Sequence, residues 1–138
     1  YQPGEVKVVA YKQGEKLGEK TIKTTSEATK IKLSADRKTI KANGMDLSYV
    51  LVEAFDKDGN LDPLANESLQ IEVSGAGELA GAGNGDPQSF EPLQDHKVDL
   101  FYGKAMIILK SGMEAGNIKL KVSSKDLKGE TIKVETEN

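Results

Sequence analysis

Residues Leu69–Gln88 read LQIEVSGAGELAGAGNGDPQ, with five glycines in the eleven positions from Gly75 to Gly85. Gly75, Gly77 and Ala80 follow a strand-like LQIEV at the spacing Gly-x-Gly-x-x-Ala, the opening of a dinucleotide-binding fingerprint. That fingerprint works only when the third small residue starts a helix whose N-terminus holds the pyrophosphate. Here the helix would be ELAGAGNGDP, interrupted by Gly81, Gly83, Gly85 and Pro87. Each glycine costs ~1 kcal/mol relative to alanine and the proline ~3 kcal/mol in a helix interior. Nor is there a Gly-Lys-Ser/Thr to make a phosphate-binding loop. The nucleotide reading therefore fails. The glycines are assigned instead to an irregular connection at one end of a β-sandwich, where they permit positive φ angles and close backbone approach.

Outward from this stretch the apolar residues recur with period two. TKIKLSA places Ile31, Leu33 and Ala35 on one side, and SLQIEVS does the same with Leu69, Ile71 and Val73. LSYVLVEAF is apolar on nearly both faces, Val50, Val52 and Ala54 against Leu47, Tyr49, Leu51 and Phe55, which marks a central strand. KAMIILK, GNIKLKVSS and GETIKVETE follow, the last two with Ile118, Leu120, Val122, Ile132 and Val134 inward and Lys and Glu outward. KDGN, SGMEAGN and DLKG are the turns between them. No segment keeps an i, i+3, i+4, i+7 apolar stripe over three turns, so no long helix is expected. About seven short strands at this spacing predict an all-β immunoglobulin-like β-sandwich over residues 28–138.

Residues 1–25 read as an extra N-terminal β-hairpin. Val6, Val8 and Ala10 share one face of EVKVVAYK, Ile22 and Thr24 one face of KTIKTT, and KQGEKLGE is read as the connection. An isolated hairpin is marginal in water, because no second layer buries its apolar face.

Composition removes whole classes of function. The 138 residues suffice for about one domain, 37% hydrophobic and 30% charged. Lys+Arg number 19 and Asp+Glu 22, alternating in sign along most of the chain rather than gathering in a basic patch, so no nucleic-acid partner is expected. No apolar run approaches the ~20 residues of a membrane span, and no membrane insertion is expected. Without cysteine there is no disulfide, thiol catalysis or thiolate metal site, and the lone His96 rules out a multi-histidine site. The absence of tryptophan removes the ring best suited to stacking on sugars.

Three further patterns invite chemistry. In DKDGNLDPLANE, Asp56, Asp58, Asn60 and Asp62 alternate and Glu67 stands twelfth, as in a helix-loop-helix calcium loop. Yet the sixth position, which needs glycine, is Leu61, and the flanks are strands; a plain Asp-Gly turn explains the stretch and no metal is assigned. Asp86 and Glu91 suggest a carboxylate pair of the kind that hydrolyses glycosides, but nothing singles out an acid and a base. His96 lies in the polar run LQDHKVD and reads as an exposed loop residue. Phe90, Phe101 and Tyr102 suit either a carbohydrate groove or, as aromatics beside strands more often do, a core or domain interface; the second reading is preferred.

The order SADRKTIKANGMDLSYVLVEAFDKDGN, GAGNGDPQSFE, FYGKA resembles the C-terminal immunoglobulin-like domain of glycoside hydrolase family 2 enzymes of the bacterial β-galactosidase type, itself akin to invasin-type adhesin domains. YQPGEVKVVAYKQGEKLGEKTIKT resembles the closing hairpin of the preceding immunoglobulin-like domain in the same enzymes. The resemblance covers almost the whole chain. It implies that the two catalytic glutamates sit on a barrel outside this chain, that no catalytic residue is present here and no cofactor is needed, and that the location is periplasmic or extracellular.

The expected function is that of a non-catalytic accessory domain, partnered by other domains of its own polypeptide. Gly83, Asn84, Gly85, Asp86, Ser89, Phe90 and Glu91 are the candidate interdomain or ligand-loop residues. Two alternatives stay open: a carbohydrate-binding module in which this loop holds a galactose-containing glycan, and a cell-surface adhesion repeat.

Overall fold

The computed structural model describes residues 2–138, which form eleven strands and no helix. Tyr1, the tyrosine of the expected closing motif, lies outside the described residues. The first two strands, β1 (Glu5–Lys12) and β2 (Glu15–Lys23), pair only with each other. Their turn is Gln13-Gly14, both at positive φ (51° and 85°), the two-residue turn whose twist matches paired strands. KQGEKLGE is therefore not a long connection: it is mostly strand, and the pairing runs from Lys12 opposite Glu15 to Glu5 opposite Lys23.

The other nine strands form a sandwich. One sheet has the order β4-β11-β10-β6-β8 and the other β3-β5-β9-β7. Their ranges are β3 Lys30–Ala35, β4 Thr39–Lys41, β5 Leu47–Phe55, β6 Ser68–Gly75, β7 Gly77–Gly83, β8 Lys97–Asp99, β9 Lys104–Ser111, β10 Gly116–Ser124 and β11 Glu130–Glu137. All pairs are antiparallel except β11 with β4. Between the sheets lie Val50, Val52, Leu69, Ile107, Leu109, Ile118, Leu120, Val122 and Val134, all closed to solvent. Burying a side chain of this kind contributes about 1.5–3 kcal/mol. Ala35, Val73 and Ile132 pack against the rim of that core.

The glycine-rich stretch departs from the expected irregular connection. Gly77–Gly83 is a strand, hydrogen-bonded to β9 with a bulge between Leu79 and Gly81. Of its five glycines only Gly75 and Gly85 have positive φ. Gly75 and Ala76 carry the chain from the end of β6 in one sheet to β7 in the other. Gly77 must be glycine for space: a Cβ there would stand 2.4 Å from both Ile118 Cδ1 and the Lys110 carbonyl oxygen. Glycine weakens strand preference, and that hides β7 from a pattern reading. At a sheet edge with pairing on one side only, the backbone hydrogen bonds to β9 suffice.

Candidate functional site

β7 is an edge strand, and the segment after it doubles back to cover that edge. The Ala82 N–H donates to the Leu93 carbonyl at 2.7 Å, so an N–H that would face water is satisfied by the loop. Gly81 and Gly83 let the loop lie close: Cβ atoms there would meet Leu93 O at 3.0 Å and Leu93 Cδ2 at 3.3 Å. Gly83 thus belongs to the strand, and the loop proper begins at Asn84.

Asn84 organises the loop. Its Nδ2 donates to the Asp99 carbonyl (3.1 Å) and lies 3.4 Å from Glu91 Oε2, while its Oδ1 accepts from the Asp86 N–H at 3.0 Å. Asp86 accepts from the Gln88 N–H at 2.9 Å, and the Glu91 N–H donates to Ser89 Oγ at 3.2 Å. Glu91 Oε2 also accepts a longer contact from the Asp99 N–H at 3.4 Å. The structure therefore brings Asn84, Asp86, Ser89 and Glu91 into one network and spends their polar atoms on shaping the loop. Phe90 stands outside it, 99% exposed, so it is no core residue. An apolar side chain held in water on a tied loop is a feature that asks for a partner.

Beside the loop runs an open groove of about 620 Å³ on the outer face of the four-stranded sheet. Leu51 of β5 stands opposite Met106 of β9 and Met106 opposite Gly83, while Ile108 stands opposite Gly81, so glycines form one flank of an apolar strip. The strip is bounded by two cross-strand ion pairs, Glu53–Lys104 at 3.0 Å and Glu78–Lys110 at 2.5 Å. Among the described residues, no aromatic ring lines the groove.

The remaining candidates resolve differently. Asp56 is 1% exposed, and its Oδ1 accepts from the Asn60 and Asp58 N–H groups at 2.8 and 2.9 Å. Its Oδ2 accepts from the Ser26 N–H at 3.2 Å. These donors, that of Asn60 foremost, outweigh the opposing effect of desolvation and lower its pKa to about 2. Asp62 accepts from the Ala28 and Leu64 N–H groups at 2.9 and 3.0 Å. Asp56 and Asp62 of the calcium-like stretch thus bind backbone amides, and no group of three His, Asp or Glu side chains among the described residues is placed to hold a metal ion. His96 is exposed; its Nδ1 lies 3.1 Å from the Ile71 carbonyl, to which it donates. Phe101 packs edge-on against Tyr102 with ring centroids 4.5 Å apart, and Tyr102 remains largely exposed. Sequence reading missed the roles of Asp56 and Asp62 toward residues 26 and 28, for which an Asp-Gly turn gives no signal.

Two stacked sheets with this connectivity, and a built loop at one end, define an immunoglobulin-like all-β module. The family model described as glycoside hydrolase family 2 C-terminal domain 5 matches residues 31–133, and the chain belongs to that family. It is 37% identical over 99% of its length to the β-galactosidase BoGH2A of Bacteroides ovatus, of which it spans 16%. A solved glycosyl hydrolase family 2 member from Bacteroides cellulosilyticus superposes with a TM-score of 0.93 at 31% identity, covering all of this chain and 18% of that one. The D00-D0 domain of intimin superposes at a TM-score of 0.60 and 15% identity over 97% of this chain and 65% of that one, a likeness of fold alone.

Proposed function

We propose that this domain is a non-catalytic accessory domain of an exported β-galactosidase-like hydrolase, working by packing against other domains of the same polypeptide. The observation that carries the reading is the family match on a chain that spans only 16% of a β-galactosidase 37% identical to it. In this reading the hydrolytic glutamates lie elsewhere in the polypeptide, and β1 and β2 are the closing strands of the preceding sandwich. The naked apolar face of that ribbon supports the assignment: Val6, Val8 and Ile22 are 66%, 63% and 65% exposed. The loop from Asn84 to Glu91 presents Phe90 to a neighbouring domain.

The test is made in the full-length polypeptide. Replacing residues 84–91 by a short glycine-serine linker is expected to lower the unfolding temperature, or to alter kcat/KM on β-galactosides, through the lost contact. Unchanged stability and kinetics would remove the loop from the interface.

A carbohydrate-binding role is the second reading, favoured by the open groove beside the loop. Its signature is a saturable set of amide shifts at Gly81–Glu91 when galactosides or galactan fragments are titrated into the chain. Silence there leaves the packing role.

A further inference from the structure

The linker between ribbon and sandwich is short and tied down at successive points. The ribbon's pairing extends to Thr24, whose N–H donates to the Gly4 carbonyl at 2.9 Å while the Gly4 N–H donates to Thr24 Oγ1, also at 2.9 Å. Two residues later the Ser26 N–H is held by Asp56, and two residues after that the Ala28 N–H is held by Asp62. The Thr29 N–H then donates to the Phe55 carbonyl at 2.8 Å, and β3 begins. Only Thr25 separates the last residue bonded within the ribbon from the first bonded to the sandwich. Two residues of extended chain reach at most about 7 Å.

Whatever covers the ribbon's apolar face is therefore joined to the sandwich at one end, through a linker held at two points. That end is formed by the linker, the turns from Asp56 to Ala65, and the tip of the Phe101–Lys104 turn. The tip is fastened by the Gly103 N–H donating to the Ala65 carbonyl at 3.0 Å. A cleft of about 500 Å³ opens between the linker and the 62–67 segment, with Ala28, Leu64 and Leu127 among its lining residues. Leu64 is 84% exposed and Tyr102 66%. Tyr102 is held outward by a two-residue turn in which it and Gly103 both take positive φ (51° and 72°), a conformation costly for a non-glycine residue.

We infer that this end of the sandwich is the docking face for the preceding β-domain, with Asp56 and Asp62 acting as a two-point clamp on the linker and Leu64 and Tyr102 as the apolar contacts. The inference rests on the reading that the ribbon belongs to that domain. It specifies the occupant by the linker's attachment: a partner joined through Thr25 enters at this end, where Thr25 and Leu64 line the same cleft. The clamp replaces flexible tethering with a fixed entry direction, since both carboxylates bind main-chain amides rather than mobile side chains.

Hydroxyl-radical footprinting of the 138-residue chain and of the full-length polypeptide tests both layers. The expected result is several-fold slower labelling of Leu64 and Tyr102, and of Val6, Val8 and Ile22, in the full-length polypeptide. Protection of the three ribbon residues without protection of Leu64 and Tyr102 overturns the docking face and leaves the ribbon's assignment standing. A ribbon labelled equally in both overturns the assignment and the inference together. Protection of Leu64 and Tyr102 that grows with concentration in the 138-residue chain alone makes the occupant a second copy, and likewise overturns it. Leu64→Asp in the full-length polypeptide is expected to restore Tyr102 labelling several-fold while leaving the unfolding of the 138-residue chain unchanged; unaltered Tyr102 labelling overturns the contact.

Discussion

The ribbon β1–β2 and the strand β10 carry the same alternation and meet opposite fates. Val6, Val8 and Ile22 line one face of the ribbon as Ile118, Leu120 and Val122 line one face of β10, yet the first three stand in water and the second three are sealed. On the ribbon's other face, Lys7 pairs with Glu19 at 2.7 Å and Glu5 with Lys23 at 3.3 Å, as on any solvated sheet surface. The difference is a second layer. Alternation states which face has to be covered; it does not say where the cover comes from.

That contrast can be broken most sharply by paired truncations. Leu120→Ala is expected to destabilise the sandwich by about 2–5 kcal/mol in urea unfolding. Val8→Ala in the same chain should move the midpoint by no more than about 0.5 kcal/mol, as for a surface site. A comparable cost for Val8→Ala would mean the ribbon already has a layer behind it. Next in size is Gly77→Ala, where the added Cβ meets Ile118 and the Lys110 carbonyl; overpacking of this kind costs about 1–3 kcal/mol. Gly14→Ala, with open space but a φ of 85°, is expected to loosen the ribbon while leaving the sandwich's unfolding untouched, as amide exchange in the two regions would report.

Acid separates the regions more gently. Asp56 has its pKa lowered from 3.8 to about 2, chiefly by the Asn60 N–H, so its contribution is complete above 3.8 and is lost as pH falls through about 2. Asp56→Asn should flatten the fall in sandwich stability across that window, whereas the wild-type slope persisting in the variant would assign it to another group. Glu19 is likewise lowered, first by Lys16 and then by Lys7, but it is exposed and lies in the ribbon, so its protonation should leave the sandwich unmoved. Smallest of all, Lys121→Ala removes an exposed 2.8 Å ion pair with Glu72 and should change stability by about 0–1 kcal/mol, decreasingly with added salt.

Legibility followed the same physics. The long strands β3, β5, β6, β9, β10 and β11 could be read because burial on one face forces a period of two on their side chains. β5 betrayed its interior position by apolar residues on both faces, and it does sit between β3 and β9. β7 was hidden because Gly77, Gly81 and Gly83 have no side chains to alternate; its strandedness comes from β9 across the sheet. β4 and β8, three residues each, are too short for any period to register. Of the irregular connection expected over Gly75–Gly85, Gly77–Gly83 proved to be β7, and the loop starts only at Asn84. Its internal order was not legible, because Asn84 finds Asp99 fifteen residues on. The clamp was equally invisible: Asp56 and Asp62 hold amides about thirty residues earlier, and nothing local in Asp-Lys-Asp-Gly-Asn foretells that partner.

The parallel pair β4–β11 sets the order in which the molecule can be made. Glu135 lies opposite Thr39, and β11 is the strand that joins β4 to β10 within the five-stranded sheet. A chain leaving the ribosome has nothing to hold β4 in that sheet until residues 130–137 have been synthesised, and the half-built core around Ile118 and Leu120 must wait with one flank open. Topologies dominated by such distant pairings fold in milliseconds to seconds. A nascent chain stalled before Glu130 would lack the strand that covers that flank, and β10 would keep an open edge.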